Sequence, residues 1–230
     1  MKYEAVIFDL FGTLIKKFSV REHTEILRQM ASVVSVPPDD FVQLWSATFN
    51  ERGSGVFKSI DANIEYICQK CGVPAEDANV KIASQINLDY TKRSIKTHYY
   101  ATKALFDLKS RGYKTGLISN CSAEIPGIMS NKLFIRSIDV QVFSPLVGIQ
   151  KPDPRIYQIA AERLVTTPEF CLYIGDGDEY ELSGAAQAGM HPVLLRVSSE
   201  DSTDVSRVGT EREKWPGLVI ASLTEVVNLL

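Results

Sequence analysis

The sequence predicts an α/β protein: a parallel sheet covered by helices on both faces, with a helical insert after the first strand. Three observations carry this prediction. From about residue 96 onward, short apolar runs alternate with amphipathic helical patterns, as in folds built on a parallel sheet. The first run, Ala5–Phe8, is apolar at every position, which is typical of a strand buried on both faces. Between residues 21 and 94, apolar residues recur at helical spacing instead.

The change of pattern also predicts how the chain is divided. We expect residues 1–16 and 96–230 to form the sheet domain and residues 17–95 to form the helical insert, with breaks near residues 37, 53 and 72 that separate four or so helices. In the sheet domain, helical patterns lie at about 99–111, 122–133, 153–165, 180–188 and 223–229. Strand patterns lie at 115–120, 138–144, 170–174, 193–197 and 218–221, and residues 198–216 read as a polar surface excursion.

Composition narrows the class of protein. The chain has 230 residues, of which 45% are hydrophobic and 23% charged, and its net charge is -3, so nothing favours a nucleic-acid or acidic-lipid partner. No apolar run approaches the roughly 20 residues of a membrane span. The N-terminal residues enter the first predicted strand almost at once and leave no room for a signal peptide. We therefore expect a cytoplasmic protein without a membrane partner.

The first candidate site residue is Asp9, which directly follows the first predicted strand. Gly12 then allows a turn that a residue with a Cβ would resist, and the Thr13 hydroxyl can hydrogen-bond locally. In an open α/β sheet, groups just past the carboxyl ends of the strands line the ligand crevice. Asp9 is therefore either a nucleophile, as in aspartyl-phosphate enzymes, or an acidic residue that only caps a turn.

Three other predicted strands also end in polar residues, and they favour the nucleophile. They lead to Ser119-Asn120, to Ser144 and then Lys151, and to Asp176. Because the carboxyl ends of parallel strands lie at one edge of the sheet, these groups should converge on Asp9. The loop after the fourth strand carries further acidic residues at 178, 179 and 181, and several carboxylates beside Asp9 suit a hard divalent cation.

In these stretches the sequence resembles the haloacid dehalogenase-like (HAD) hydrolase superfamily, whose four motifs it matches in order across nearly the whole chain. DLFGTL places Asp9 in the nucleophile position, and LISN places Ser119 in the second motif. KPDPRIY supplies Lys151, and IGDGDEYELSGAAQAGM places Asp176 in the metal-ligand position. The resemblance implies a Rossmann-like core, a mobile cap and an aspartyl-enzyme intermediate. The helical insert looks like the C1 cap of the superfamily.

The resemblance also implies roles for individual residues. Asp9, Thr13, Ser119, Asn120 and Lys151 would be catalytic, with Ser119 and Lys151 on the phosphoryl oxygens of a small-molecule substrate. Mg²⁺ would be held by Asp9, the Phe11 carbonyl and Asp176, with support from Glu181 or Asp178. The residues expected to contact the substrate are Phe11, Arg52 and Tyr157. We expect a monomer or homodimer that binds no nucleic acid.

Two departures from the pattern leave the reaction open. Phosphatases of the superfamily usually carry a second Asp two residues after the nucleophile as general acid and base, whereas this chain has Phe11. General acid–base catalysis is worth about 10²–10⁴-fold, so the enzyme should prefer good leaving groups. Phe11, Lys151 and Tyr157 are similar to the 2-haloacid dehalogenases, which expel halide and need no proton donor. Against that similarity, the chain keeps Asp176, and Pro37 stands where our alignment places the cap arginine of those enzymes.

The prediction is therefore a Mg²⁺-assisted phosphoryl hydrolase with an aspartate nucleophile. Two alternatives are a 2-haloacid dehalogenase and a binding or regulatory protein with weakened catalysis. In the insert, Arg52 beside Gly53 is the candidate for an exposed cationic contact to the substrate, and Trp45 and Phe49 are expected to pack inside the cap.

Overall fold

A computed structural model describes residues 2–197, 204–205 and 209–230. Its centre is a six-stranded parallel sheet with the order β3-β2-β1-β4-β5-β6. The strands are β1 (Ala5–Phe8), β2 (Lys114–Ser119), β3 (Val140–Phe143), β4 (Cys171–Gly175), β5 (His191–Leu195) and β6 (Leu218–Ile220). The α/β Rossmann-like fold class predicted from the alternating pattern is confirmed.

β1 lies between β2 and β4, which places its carboxyl end at the middle of the sheet. Phe8 is level with Leu117 of β2 and with Ile174 of β4. From β1 the chain proceeds to β2 and β3 on one side, and after β3 it crosses to β4 on the other side of β1. That is the position at which open α/β sheets form a ligand crevice, and Asp9 is the first residue to enter it.

Helices cover the sheet on both faces because successive side chains of a strand point to opposite sides. The Val6 and Phe8 side chains pack with α6 (Ala101–Ser110) and α7 (Ile125–Met129). The side chains of Ala5 and Ile7 pack against α9 (Pro154–Arg163) and α10 (Glu181–Gln187). A one-turn helix, α8 (Ser144–Val147), follows β3. All four residues of β1 are fully buried, as the uninterrupted apolar run predicts.

The insert after β1 consists of five helices. They are α1 (Val20–Val33), α2 (Pro38–Ala47), α3 (Phe49–Gly53), α4 (Ile60–Lys70) and α5 (Asp77–Ser94). These helices bury a hydrophobic cluster of their own, built around Met30, Phe41, Ile64 and Tyr90. The sequence predicted four or so helices, and the difference is a short helix that begins at Phe49.

Two linker segments, residues 14–17 and 96–98, connect the insert to the sheet and lie side by side. The Lys16 N–H donates to the Lys96 carbonyl at 2.9 Å, and the His98 N–H donates to the Leu14 carbonyl at 2.9 Å. Ile15 and Thr97 form an antiparallel bridge between these hydrogen bonds. The entry and exit of the insert are therefore fastened to each other directly beside the turn that follows Asp9.

Several predicted elements differ in extent. The helix expected at 122–133 is only Ile125–Met129, with Pro126 in its first turn, and a 3-10 helix follows at Leu133–Ser137. The C-terminal helix is also a 3-10 helix, Leu223–Asn228. Much of the expected excursion at 198–216 lies outside the described residues. Its described part contains a 3-10 helix, Arg212–Lys214, with Arg212 buried. Among the described residues, no helix is both long and apolar enough to cross a bilayer.

Candidate active site

Asp9 lies at the carboxyl end of β1 and is almost completely buried. Its backbone N–H donates to the Ile174 carbonyl at 2.9 Å, which extends the pairing of β1 with β4 by one residue. Gly12 has φ +84°, and a Cβ at this position would collide with the Asp176 carboxylate. Glycine at position 12 thus lets the turn after Asp9 close against the acidic loop that follows β4.

Lys151 is the principal partner of Asp9. Its ammonium lies 2.6 Å from Oδ1 of Asp9 and 2.6 Å from Oε2 of Glu181, and it also donates to the Tyr173 hydroxyl at 3.2 Å. The side chain of Lys151 is 3% exposed. A buried ammonium of this kind is stable only because carboxylates and hydrogen bonds replace its water.

Glu181 occupies the first position of α10 and is the second carboxylate that contacts Lys151. Oε2 of Glu181 also accepts from the Tyr173 hydroxyl at 2.7 Å, and Oε1 accepts from the Gly177 N–H at 3.0 Å. Gly175 leaves room for this carboxylate, which would collide with a Cβ there. The Glu181 carboxylate is therefore fixed before any ligand arrives.

Asn120 positions the backbone of Lys151. Its side-chain oxygen accepts from the Lys151 N–H at 2.8 Å, and its amide group donates to the Lys151 carbonyl at 3.0 Å. The amide also donates to Glu179 at 2.6 Å. Ser119, at the end of β2, is fully buried, and its hydroxyl makes a long hydrogen bond of 3.4 Å to the Asn120 carbonyl. Asn120, predicted as a catalytic residue, thus contacts Lys151 and not Asp9.

Asp176 is a further carboxylate close to Asp9, and it is paired with a lysine of the linker. The Lys17 ammonium lies 2.9 Å from Oδ2 of Asp176 and also contacts Oδ2 of Asp178. The carboxylates of Asp9, Asp176, Asp178 and Glu181 therefore face two ammonium groups, those of Lys17 and Lys151. Carboxylates therefore outnumber the ammonium groups in this cluster.

Burial and neighbouring charges shift the pKa values of the cluster. Burial raises the pKa of Asp9, and Asp176 adds to the rise while Lys151 opposes it. Burial also raises the pKa of Glu181 to about 8, again against Lys151. For Lys151, burial alone would lower the pKa, but Asp9 and Glu181 raise it well above its usual value. Lys151 is therefore a permanent ammonium group at neutral pH.

Two buried polar atoms of the turn have no hydrogen-bond partner in the structure, Oδ2 of Asp9 and the Thr13 hydroxyl. The expectation that Thr13 hydrogen-bonds within its turn is wrong, because the turn is closed by backbone hydrogen bonds to Leu10 and Ile15 instead. Leaving a buried polar group unpaired costs about 1–3 kcal/mol, so such atoms indicate where a ligand binds.

The same turn fits a divalent cation. One oxygen each of Asp9, Asp176 and Glu181 lie within 4.8 Å of one another. Among the described residues, no backbone N–H outside the helices and strands donates to the carbonyl of Phe11, which follows Asp9 by two residues. Hard divalent cations take oxygen ligands, and the carboxylates of this cluster supply them. The donor set is therefore compatible with such an ion.

The three residues predicted to contact the substrate lie in different surroundings. The Phe11 ring packs edge-on against Phe18 at 5.4 Å between centroids. Tyr157 is completely buried behind the cluster and donates to the Glu181 carbonyl at 2.7 Å, so it supports α10 and does not face a substrate. This geometry does not support the predicted role of Tyr157 in substrate binding.

Arg52 is not the exposed cation that its position beside Gly53 predicts. Its guanidinium stacks on the Trp45 ring at 4.5 Å and donates to the Trp45 carbonyl and to the Thr48 hydroxyl. Burial lowers the pKa of Arg52 to about 10, against the nearby carboxylate of Glu124, which belongs to the sheet domain. Arg52 therefore faces the sheet domain from the insert.

Sequence reasoning did not identify Lys17 and Tyr173 as members of the site. Lys16 and Lys17 are adjacent, and no sequence signal separates the exposed first lysine from the half-buried second one. Tyr173 lies inside β4, where its apolar neighbours indicate core packing. Its alternation with Leu172 and Ile174 is the only signal that places it on the face of α9 and α10.

Comparisons with known proteins identify the family of this chain. Residues 3–189 match the sequence profile of the haloacid dehalogenase-like hydrolases. A phosphoglycolate phosphatase of Nitrosococcus oceani is 27% identical over 233 residues, which cover 99% of this chain and 96% of that protein. A glyceraldehyde 3-phosphate phosphatase of Methanothermobacter thermautotrophicus is 31% identical over 130 residues, which span 56% of each chain.

The fold is also that of solved structures. A 2-haloacid dehalogenase from Pseudomonas syringae pv. Tomato superposes with a TM-score of 0.69 at 19% identity, covering 99% of this chain and 97% of the other. At this identity the likeness concerns the fold alone. The profile match over most of the chain, together with the cluster around Asp9, shows that the protein is an enzyme of the haloacid dehalogenase-like hydrolase superfamily.

Proposed function

We propose that this hydrolase removes a phosphoryl group from a small phosphorylated molecule, with Asp9 as the nucleophile. The observation that carries the proposal is the state of the Asp9 carboxylate. Oδ1 is held by Lys151 at 2.6 Å, whereas Oδ2 is buried and has no partner. One oxygen is thereby fixed and the other is available to attack.

In the proposed reaction, Oδ2 of Asp9 attacks phosphorus and the bond to the leaving oxygen breaks, which gives an aspartyl phosphate. Water then attacks this intermediate and releases inorganic phosphate. Lys151 and the hydroxyls of Ser119 and Thr13 bind the phosphoryl oxygens. Asn120 and Glu181 act by holding Lys151 in place.

We further propose that the cluster holds Mg²⁺ through Asp9, the Phe11 carbonyl and Asp176. When bound, Mg²⁺ supplies positive charge to the phosphoryl oxygens and relieves the repulsion between Asp9 and Asp176. Asp178 lies close enough to support Asp176, whereas both oxygens of Glu181 already accept hydrogen bonds. We therefore assign Glu181 to Lys151 and not to the metal.

Residues 17–95 are proposed as a cap of the C1 type over a core of residues 1–16 and 96–230. The separate hydrophobic cluster of the insert and its paired linkers support this division. Arg52 is proposed as the residue of the cap that contacts the anionic substrate, since it is the guanidinium that faces Glu124 of the core. The relatives that act on phosphoglycolate and glyceraldehyde 3-phosphate support small phosphorylated metabolites as substrates.

The test is a panel of aryl, acyl and sugar phosphates, with and without Mg²⁺, on the wild type and Asp9→Asn. Because Phe11 provides no proton for a leaving alkoxide, aryl and acyl phosphates should turn over faster than sugar phosphates by roughly 10²-fold. Asp9→Asn should be inactive, and beryllium fluoride should inhibit the wild type. Equal rates on all three classes would contradict the leaving-group argument.

A second candidate reaction is the hydrolysis of a small 2-haloacid, with Asp9 attacking carbon. The apolar Phe11 ring, packed against Phe18 where a general acid would otherwise lie, favours it, because halide leaves without a proton. Halide release that persists in EDTA would establish this reaction. Phosphate release that requires Mg²⁺, without any halide release, would exclude it.

A further inference from the structure

Lys17 lies where a metal ligated by Asp176 would have to compete with it. The ammonium contacts the Oδ2 atoms of both Asp176 and Asp178, and the side chain is 9% exposed. Its stem passes over the turn at Gly12, where a Cβ would lie 2.8 Å from Cε of Lys17. The lysine is therefore packed into the site and is not a surface side chain that reaches toward it.

The two lysines of the cluster divide the carboxylates between them. Lys151 contacts Asp9 and Glu181, and Lys17 contacts Asp176 and Asp178. Each half of the site thus holds two carboxylates and one ammonium. An ammonium and a divalent cation on the same carboxylate repel each other strongly where water is scarce.

We propose that Lys17 is an internal cation that occupies Asp176 and Asp178 and must give way when a divalent cation binds. The proposal rests on the metal site of the proposed function and adds a residue that sets how tightly the metal is held. It also gives the linker a part in the site, because Lys17 follows directly on the paired segment Ile15–Lys16 and precedes α1 by three residues.

The neighbouring lysine provides a matched control. Lys16 is exposed, and its described hydrogen bond is made by its backbone N–H to the Lys96 carbonyl. Replacing either lysine by methionine removes one positive charge from the same linker, but only Lys17 contacts the carboxylates. Any difference between the two variants therefore reports the contact and not the net charge.

The experiment is a titration with Mn²⁺, followed by calorimetry and by the electron paramagnetic resonance signal of the free ion, without substrate. Lys17→Met should bind Mn²⁺ at least roughly tenfold more tightly than the wild type, because the competing charge is gone. Lys16→Met should match the wild type, and Lys17→Arg, which keeps the charge, should remain weak. If Lys17→Met does not fold, the same titration on Lys17→Gln decides.

Two negative results can be distinguished. If Lys17→Met and the wild type bind one Mn²⁺ with equal affinity, the proposed metal site stands and the competition by Lys17 is overturned. If no variant binds Mn²⁺ at all, the metal site itself fails and the inference fails with it. Binding that appears only in Lys17→Met would support the inference in its strongest form.

Discussion

Gly184 of α10 lies directly against Pro152, so closely that a Cβ would come within 2.5 Å of the Pro152 carbonyl oxygen. Because Pro152 follows Lys151 and α10 begins at Glu181, this contact sets how near the two charged side chains come. Gly184 has an ordinary helical conformation. A glycine is therefore needed here because there is no space for a side chain, and not because of an unusual backbone angle.

Gly184→Ala should therefore separate α10 from Pro152. We expect a loss of about 1–3 kcal/mol in the free energy of unfolding, typical of overpacking. We also expect kcat/KM to fall roughly tenfold, because Glu181 moves relative to Lys151. Urea unfolding and steady-state kinetics check both. Gly127→Ala is the control, since nothing lies within 4 Å of a Cβ there, and an equal loss in that variant would remove the argument.

Lys151→Met should destabilise the protein by about 3–5 kcal/mol, because it leaves Asp9 and Glu181 buried without their counter-ion. Adding Glu181→Gln should recover part of that loss, since one of the two unpaired charges is then removed. Urea unfolding of the single and double variants measures the coupling. Strictly additive losses would show that the two side chains do not act as a pair.

His23 should make the protein less stable in mild acid. Burial and the nearby Arg52 lower the pKa of His23 from 6.5 to about 4. Between these values the unfolded chain holds the proton and the folded chain does not, so the free energy of unfolding falls as the pH drops from about 6.5 to about 4. His23 contributes at most about 3 kcal/mol to the free energy of unfolding. This contribution is fully present above pH 6.5 and is lost as the pH falls to about 4.

His23→Phe should flatten this dependence while keeping a ring stacked on Tyr90, which lies 5.6 Å from His23 between centroids. Urea unfolding of both proteins at pH 5 and pH 7.5 makes the comparison. The difference between the two proteins isolates His23 from the other groups that titrate. If the two pH profiles run parallel, His23 is not the source.

Arg52→Met should raise KM for the best phosphorylated substrate by roughly tenfold and leave kcat within about twofold. Arg52 is the proposed substrate contact of the insert, and its described side-chain contacts are to Trp45 and Thr48 and not to Asp9 or Lys151, so its loss should weaken binding and not the chemical step. Arg93→Met is the matched control, because Arg93 also stacks on an aromatic ring, that of Tyr90 at 5.3 Å. A fall in kcat with KM unchanged would reject the binding role.

Glu211 should stabilise the beginning of α10. Its carboxylate accepts from the N–H groups of Leu182 at 2.6 Å and Ser183 at 3.0 Å, which have no partner within the helix. Glu211→Ala should cost about 1 kcal/mol of the free energy of unfolding, as for other lost helix caps. Glu213→Ala, at an exposed position two residues on, should cost nothing measurable. Thermal melting of both variants compares them.

The parts of the site that could be predicted are those tied to a strand end. Asp9 and Asp176 follow buried strands, and Lys151 lies in a stretch fixed by prolines, so a parallel sheet brings their loops to one edge. The role of Asn120 was harder to predict, because an amide after a strand can contact a ligand or hold a neighbouring loop. Here it binds both the N–H and the carbonyl of Lys151.

The structure differs from the expectations at side chains whose surroundings the local sequence does not show. Arg52 looked exposed because no pattern shows that its guanidinium stacks on Trp45, seven residues earlier across a break between helices. Thr13 looked hydrogen-bonded because its type commonly is, but the local backbone satisfies the turn without it. Tyr157 was assigned to the substrate from the resemblance alone, and its hydroxyl instead donates to the Glu181 carbonyl of α10.

By itself, the sequence determined the parallel sheet, the place of the helical insert and the identity of the residues at the strand ends, because periodicity and turn residues act locally. Only the tertiary structure decided how the charges pair. Lys17 and Lys16 are equivalent in the sequence, yet Lys17 is paired with Asp176 and Asp178 and Lys16 is exposed. That choice depends on the path of the chain between β1 and α1, which no local pattern encodes.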